Sequence, residues 1–321
     1  MNIPVNIKLE YVCCPLTCSK NDQFLFKARD IMGNLPGEYN LVKCKTCGLI
    51  RLNPRPTQNT IGYYYPESYA QYSTSKVKNE IIDTAGLFKK KIFRPLIKKI
   101  FNFNYAKIPK IKPGDMLEIG CASGYFLKEM RDKGWNVKGI EFSAHAAKFA
   151  REAGFDIYNG PLEEAPEVEN RFDLIVGFMV LEHLHNIIDC LKKLRRFSKD
   201  NAWLVLSVPN AGSLEFNIFK DNWHASHAPH HLFYFTPKTI RKVLIASGWE
   251  IKKIYHQRLL HDLIASIGFS LKKKGFVNVG KKFIEYPENA GKWQYFLYPL
   301  AWLLSIFGQT GRMTVWAKVK N

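Results

Sequence analysis

No run in this 321-residue chain reaches the roughly 20 consecutive apolar residues that cross a bilayer as a helix, which argues against an integral membrane protein. The opening segment, M-N-I-P-V-N-I-K-L-E, has no apolar core of the secretory kind, so a cytoplasmic protein is expected. Internal repeats and low-complexity tracts are missing as well, which sets aside solenoids and disordered tails. Acidic residues are scarce: 28 Asp and Glu stand against 47 Lys and Arg, a net charge of +19. Such a surface attracts polyanions, whether nucleic acid, phosphorylated substrates or an anionic membrane face, and it does not choose among them. Solvated lysines account for much of the excess equally well. Cysteines number seven, four of them in two close pairs. That usage fits a reducing compartment with a metal site better than a disulfide framework.

What is present divides the chain into five stretches. Residues 1–60 are rich in Cys, Pro and Asn and read as a small, loop-rich module. Residues 61–110 read as a basic helical linker, with Ile81, Ala85, Phe88, Ile92, Leu96 and Ile100 at helical spacing and Pro95 dividing the run. From 111 to 258 strand and helix patterns alternate. Strands are expected at Met116–Ile119, Val137–Ile140, Asp156–Tyr158, Leu174–Phe178, Trp203–Val208 and Ile251–Tyr255, with helices from about Tyr125 and Ala144. This succession predicts a mostly parallel α/β sheet with helices on both faces. Residues 259–308 form an unusually apolar, helix-compatible insertion, and 309–321 hold a final strand at Met313–Val319.

The sharpest motif is M-L-E-I-G-C-A-S-G, Met116 to Gly124: a hydrophobic strand, an acid, a glycine-containing turn and a helix. Glycine lets the backbone turn tightly and approach a ligand closely. Glu141, at the end of the next strand, can accept both hydroxyl protons of an adenosine ribose. A third element, F-D-L-I-V-G-F-M-V-L-E-H-L, begins at Phe172. Together Glu118 to Gly124, Glu141 and Leu181-Glu182-His183-Leu184 resemble the Rossmann-fold S-adenosylmethionine methyltransferases. The resemblance covers about 111–258 and the final strand. It implies a Rossmann-like seven-stranded sheet whose last strand is inserted antiparallel. By position, Glu118, Gly120, Cys121, Ala122 and Gly124 would form the donor turn around the methionine end, and Glu141 would hold the ribose. Phe142 and Leu162 would flank the adenine, and Phe178 would border the transfer cleft. Ala122 departs from the glycine that many relatives carry. A dinucleotide-binding dehydrogenase is the structural rival, but its third glycine is not evident.

Cys14-x-x-x-Cys18 and Cys44-x-x-Cys47-Gly48 are about 25 residues apart. Two turns with two thiolates each can close a tetrahedral structural Zn²⁺ site in a zinc-ribbon-like module. Cys13 is an alternative ligand, and buried free cysteines are the plain alternative. The module, the L-I-R-L-N-P-R-P segment and W-H-A-S-H-A-P-H-H-L-F-Y-F-T at Trp223 to Thr236 resemble a bacterial subgroup that includes sugar C-methyltransferases and enzymes of surface-glycan clusters. That resemblance implies a nucleotide-linked or lipid-linked sugar acceptor.

Methyl transfer to a hydroxyl or carbon acid also needs a proton acceptor, and histidine is the usual type near neutrality. His231 and then His183 are the candidate bases, each weighed against a merely hydrogen-bonding role; a pH–rate limb near the ordinary histidine value of about 6.5, shifted by surroundings, is expected. His224, His227, His230 and Tyr234 lie nearby in sequence. Four histidines without an accompanying carboxylate pair read as a closing loop rather than a second metal site. The insertion has Trp and Tyr beside basic flanks, as helices lying on a membrane surface do, although packing on the sheet or on a partner explains it equally. Peripheral association with the inner membrane face is therefore an open expectation, and nucleic acid is not the expected partner. An RNA methyltransferase is the first rival reading; no N/D-P-P-Y/F motif for exocyclic base nitrogens is present. A donor-binding scaffold without activity is the second.

Overall fold

A computed structural model describes residues 3–17, 20–33, 35–65, 101–168 and 172–320. Cys18 and most of the linker, with its apolar series from Ile81 to Ile100 and Pro95, lie outside these residues. The N-terminal part is built from β1 (Leu9–Glu10), β2 (Asp22–Arg29), β3 (Glu38–Cys44), β4 (Ile50–Leu52) and β5 (Arg55–Pro56). Where the sequence reads as loop-rich, β2 and β3 form a long antiparallel hairpin from Asp22↔Cys44 to Arg29↔Glu38. The hairpin escapes a periodicity reading because β2 is mostly half-exposed and a bulge between Phe24 and Phe26 interrupts its alternation.

The main sheet contains β6 (Asp115–Ile119), β7 (Asn136–Glu141), β8 (Asp156–Asn159), β9 (Phe172–Phe178) and β10 (Ser198–Pro209). After the short β11 (Phe233–Tyr234), β12 (Trp249–His256) and β13 (Arg312–Val319) complete it. Strand order is β8-β7-β6-β9-β10-β13-β12, with β13 antiparallel to both neighbours and the strands from β8 to β10 parallel. The central β9 and the Ala202–Val208 part of β10 are nearly continuous apolar runs because helices cover both faces. Leu117, Ile119, Ile175, Leu204 and Leu206 enter one core, and Met116, Leu174, Val176 and Val205 the other. Strand β10 starts five residues earlier than its apolar pattern suggests, with a register irregularity between Ser198 and Trp203. The chain leaves β6 toward β7 on one side and β9 lies on the other, so the carboxyl ends of β6 and β9 flank the topological switch point where such sheets bind ligands.

The N-terminal sheet does not close on itself. Its fourth strand is β11, from the histidine-rich segment, with Phe233 opposite Arg51 and Tyr234 opposite Ile50. Arg55 Nη1 donates to His185 O at 3.0 Å, and Leu52 N donates to Leu232 O at 3.0 Å. The cysteine region is thus sewn to the carboxyl edge of the large sheet. Residues 261–306 form a series of helices between β12 and β13: His261–Lys273, Val277–Ile284, Tyr286–Asn289, Trp293–Phe296 and Tyr298–Ile306. Among the described residues no helix is long and apolar enough to cross a membrane.

Candidate functional site

Beyond Ile119 the chain turns sharply under the end of β7. Gly120 N and Cys121 N both donate to Ile140 O, at 2.8 and 3.3 Å. Gly120 has φ +66°, and a Cβ there would lie 2.4 Å from Val180 Cγ2, so both backbone and space demand glycine. Gly124, at φ +82°, begins the helix Tyr125–Arg131. Ala122 sits at φ +46°, a conformation that costs a residue with a Cβ about 1–2 kcal/mol. Glu141 fixes this loop: Ala122 N donates to its Oε2 and Ser143 N to its Oε1, both at 2.8 Å. Burial pushes the Glu141 carboxyl above its ordinary range, against the backbone donors that favour its charge. Beside it, Glu118 is pushed well above by burial and then by the Glu141 charge, and its Oε2 has no partner among the described residues. Two buried acids in one wall suit a cationic ligand.

These residues open onto a cavity of about 970 Å³. The structure brings Glu118, Gly120, Cys121, Ala122, Gly124, Glu141, Phe142, Leu162 and Phe178 to its wall, together with His183 and His231. His224 and His227 line it too; His230 and Tyr234 do not. His230 Nε2 bonds to Tyr64 O, and the Tyr234 hydroxyl donates to Ser226 O at 2.8 Å. The N-terminal part contributes Met32, Gln58, Ile61 and Tyr65.

A histidine corner lines the same cavity as the glycine turn. His231 Nδ1 lies 3.0 Å from Ala225 O, so it carries the proton and leaves the Nε2 lone pair facing Glu182 Oε1 at 3.8 Å. His183 Nδ1 pairs with the Tyr65 hydroxyl at 2.8 Å, and the His183 and His231 rings are 4.6 Å apart. Glu182 is fully buried, and neither carboxylate oxygen has a partner among the described residues. Burial raises its carboxyl to about 8 and lowers His183 to about 3; His231 is held well below its ordinary value by burial and then by the neighbouring His183 ring. Both imidazoles are therefore neutral bases at neutral pH. Ligand atoms of Glu182, His183 and His231 lie within 4.8 Å of one another, a set that can hold a cation, which sequence spacing did not show.

A second pair escaped sequence reading. His224 Nδ1 donates to Asp262 Oδ1 at 2.7 Å, and Arg312 Nε and Nη2 donate to the same carboxylate at 2.6 and 2.8 Å. Burial opposes the Asp262 charge, but Arg312 and His224 outweigh it and hold the carboxyl well below its ordinary range. So carboxylates do accompany the histidines: Glu182 from the end of β9 and Asp262 from 36 positions beyond Ser226. Only the tertiary fold could reveal the second, since no local spacing links Asp262 to His224.

In the N-terminal part, Sγ atoms of Cys14, Cys44 and Cys47 lie within 4.8 Å of one another, Cys14 and Cys47 at 3.3 Å. Gly48 N donates to Cys44 O at 2.9 Å, closing a tight knuckle. Burial disfavours the Cys44 thiolate, but the Cys47 backbone and Thr17 outweigh it and bring the thiol down to about 6. Such a donor set fits Zn²⁺ with one ligand still to be named; Cys18 lies outside the described residues, and Cys13 is exposed.

Comparison with known proteins identifies the family. A family model described as a methyltransferase domain matches residues 88–254, just over half of the chain. A probable S-adenosylmethionine-dependent methyltransferase of Mycolicibacterium smegmatis is 27% identical over 164 residues, 49% of this chain and 61% of that protein. The malonyl-[acyl-carrier protein] O-methyltransferase of Serratia marcescens is 25% identical over 130 residues, 40% of this chain and 50% of that protein. The chain thus spans between half and two thirds of these relatives. An S-adenosylmethionine-dependent methyltransferase from Mesorhizobium loti superposes with a TM-score of 0.43 at 13% identity, over 72% of this chain and 99% of that one. With its glycine turn, its ribose-type acid and the family match over residues 88–254, the chain belongs to the methyltransferase-domain family.

Proposed function

We propose that this protein is an S-adenosylmethionine-dependent methyltransferase acting in the cytoplasm on a sugar, carried by a nucleotide or lipid as a surface-glycan precursor. The observation that carries the reading is that the glycine turn with Glu141 and the histidine corner face one cavity, large enough for a donor and a small acceptor together. Bound there, the donor supplies a methyl group on a positively charged sulfur. Glu141 would accept from the ribose hydroxyls with the lone pairs its two backbone donors leave free, and Phe142 and Leu162 would sandwich the adenine. Gly120 to Gly124 would wrap the methionine end, and the orphaned Glu118 oxygen favours that cationic portion. Phe178 borders the transfer position.

At the acceptor end, the proton of the attacking O–H or C–H passes to His231 Nε2, while the opposite ring nitrogen stays anchored on Ala225 O. His183 is next in line. Orienting the acceptor along the methyl–sulfur axis supplies the rest of the rate. The Serratia relative is named for transfer to oxygen, which supports an oxygen acceptor over carbon. The sugar class rests on the cysteine module and the Trp223–Thr236 segment. In the same reading a structural Zn²⁺ would be held by Cys14, Cys44 and Cys47, with Cys18, outside the described residues, as the fourth ligand expected from the sequence. The test is to incubate the purified enzyme and labelled donor with a cell extract, with and without nuclease. Label in a glycan precursor that survives nuclease is the expected result; label lost with nuclease would overturn the sugar reading in favour of RNA.

A further inference from the structure

The helix Tyr298–Ile306 is built inside out. Its buried positions are Tyr298, Ala301 and Ser305, while Leu300, Trp302, Leu303 and Ile306 face outward. Tyr298 pins the inner side: its hydroxyl receives Asn102 N at 3.1 Å, and its ring meets Phe101 and Phe103 edge-on. The preceding turn exposes Trp293 and Phe296, at 64% and 74%, and Phe307 follows at 68%. Positions 296, 300, 303 and 307 fall at the three- and four-residue spacing of one helical stripe. A core-forming helix turns such residues inward, because each large side chain left in water forgoes roughly 1.5–3 kcal/mol of burial. Earlier in the same insertion, Phe276 and, on the helix Val277–Ile284, Val277, Val279 and Phe283 are also exposed.

Charge identifies what this face meets. Lys272, Lys273, Lys274, Lys281, Lys282 and Lys292, all exposed, interleave with these segments along the chain. Asp221 answers Lys273 and Glu285 answers Lys281; among the described residues Lys272, Lys274, Lys282 and Lys292 have no carboxylate within ion-pair reach. Apolar and Trp side chains beside unpaired lysines match the acyl boundary and the anionic headgroups of a bilayer surface. The cavity reaches the same region, since Pro287 and Glu288, between the two apolar helices, line it.

We infer that residues 272–307 dock this protein on an anionic membrane surface, with the cavity mouth beside the bilayer. This surface adds to the proposed function a route by which an amphiphilic acceptor reaches the site, but it stands on its own observations. The full-length chain is floated with vesicles of phosphatidylcholine alone and with about a third phosphatidylglycerol. The native protein floats with the anionic vesicles and stays behind with the neutral ones. Phe296→Glu together with Leu303→Glu abolishes flotation. Lys272→Gln, Lys274→Gln, Lys282→Gln and Lys292→Gln combined lower partitioning at least tenfold, each lysine near an anionic surface being worth about fivefold. S-adenosylmethionine affinity by calorimetry stays unchanged in both variants, showing that the fold is intact. Native protein that remains unbound to anionic vesicles overturns the inference. So does a stable dimer by sedimentation velocity that Phe296→Glu dissociates, because a second copy then covers the face. Neither result touches methyl transfer, so this inference and the proposed function fail separately.

Discussion

Glu141 already ties Ala122 N and Ser143 N together, so in the proposed donor site one carboxylate would serve both the turn and the ribose. Glu141→Ala is therefore expected to weaken S-adenosylmethionine binding by about 1–3 kcal/mol, and to loosen the turn as well. Titration calorimetry on the folded variant measures it; unchanged affinity removes Glu141 from the donor site. Ala122→Gly relieves the left-handed strain at φ +46° while adding unfolded-chain entropy, so donor binding should persist with stability changed by less than about 1 kcal/mol. His231→Ala should lower the transfer rate roughly 10²–10⁴-fold with donor affinity nearly intact. The pH profile follows from the buried surroundings. Protonating a base removes activity as pH falls, and burial depresses both His183 and His231, so the acid limb moves below the value of about 6.5 expected from sequence. A limb that stays near 6.5 and survives His231→Ala and His183→Ala places the base elsewhere. Glu182 gives the opposite sign. Its folded carboxyl, raised to about 8, contributes stability below the ordinary value of 4.5 that is lost as pH rises through about 8. Glu182→Gln should thus raise the melting temperature at pH 8 and change it little at pH 4; a loss at pH 8 indicates that a cation, not a proton, neutralises this carboxyl.

At the scale of elements, the short strand β11 links the cysteine region to the histidine-lined cavity. Phe233 and Tyr234 pair with Arg51 and Ile50, one strand away from Cys44 at the end of β3. Arg51 is itself buried and held by Asp22 through two hydrogen bonds of 2.8 and 2.9 Å. Purified without added metal, the protein should carry one zinc per chain by elemental analysis, lost in Cys44→Ala. Metal-free protein with an intact N-terminal sheet would sink the zinc assignment. If zinc holds that sheet, chelation should impair methyl transfer more than donor binding, because β11 carries the segment that ends in His231 while the glycine turn belongs to the large sheet. Equal losses of both would point to global unfolding instead.

For the whole molecule, the net charge of +19 leaves RNA, phosphorylated sugars and anionic lipid all attractive, and charge alone cannot rank them. Nuclease treatment of the extract is expected to leave the labelled product intact, which separates a glycan acceptor from RNA in one measurement. In the proposed docking, the apolar face of residues 293–307 would give the charge a direction that composition could not.

The sequence by itself determined the large sheet and the donor turn. Buried parallel strands are written as local apolar runs, and the turn needs glycines and acids at fixed offsets from them, so Met116–Ile119, Val137–Ile140 and Glu141 were legible one segment at a time. The antiparallel insertion of β13 was legible only through family resemblance, because nothing local in Met313–Val319 states its direction. Tertiary structure alone decided the rest. The β2–β3 hairpin is half-exposed and bulged, so it carries no clean period. Asp262 meets His224 across 38 positions and Arg312 across 50, and Tyr65 reaches His183 across 118. Glu182 was visible in its motif, but the burial that raises its carboxyl is a property of packing. Whether an apolar helix turns its large residues inward or outward is likewise settled by what packs against it, and here Tyr298, Ala301 and Ser305 face in.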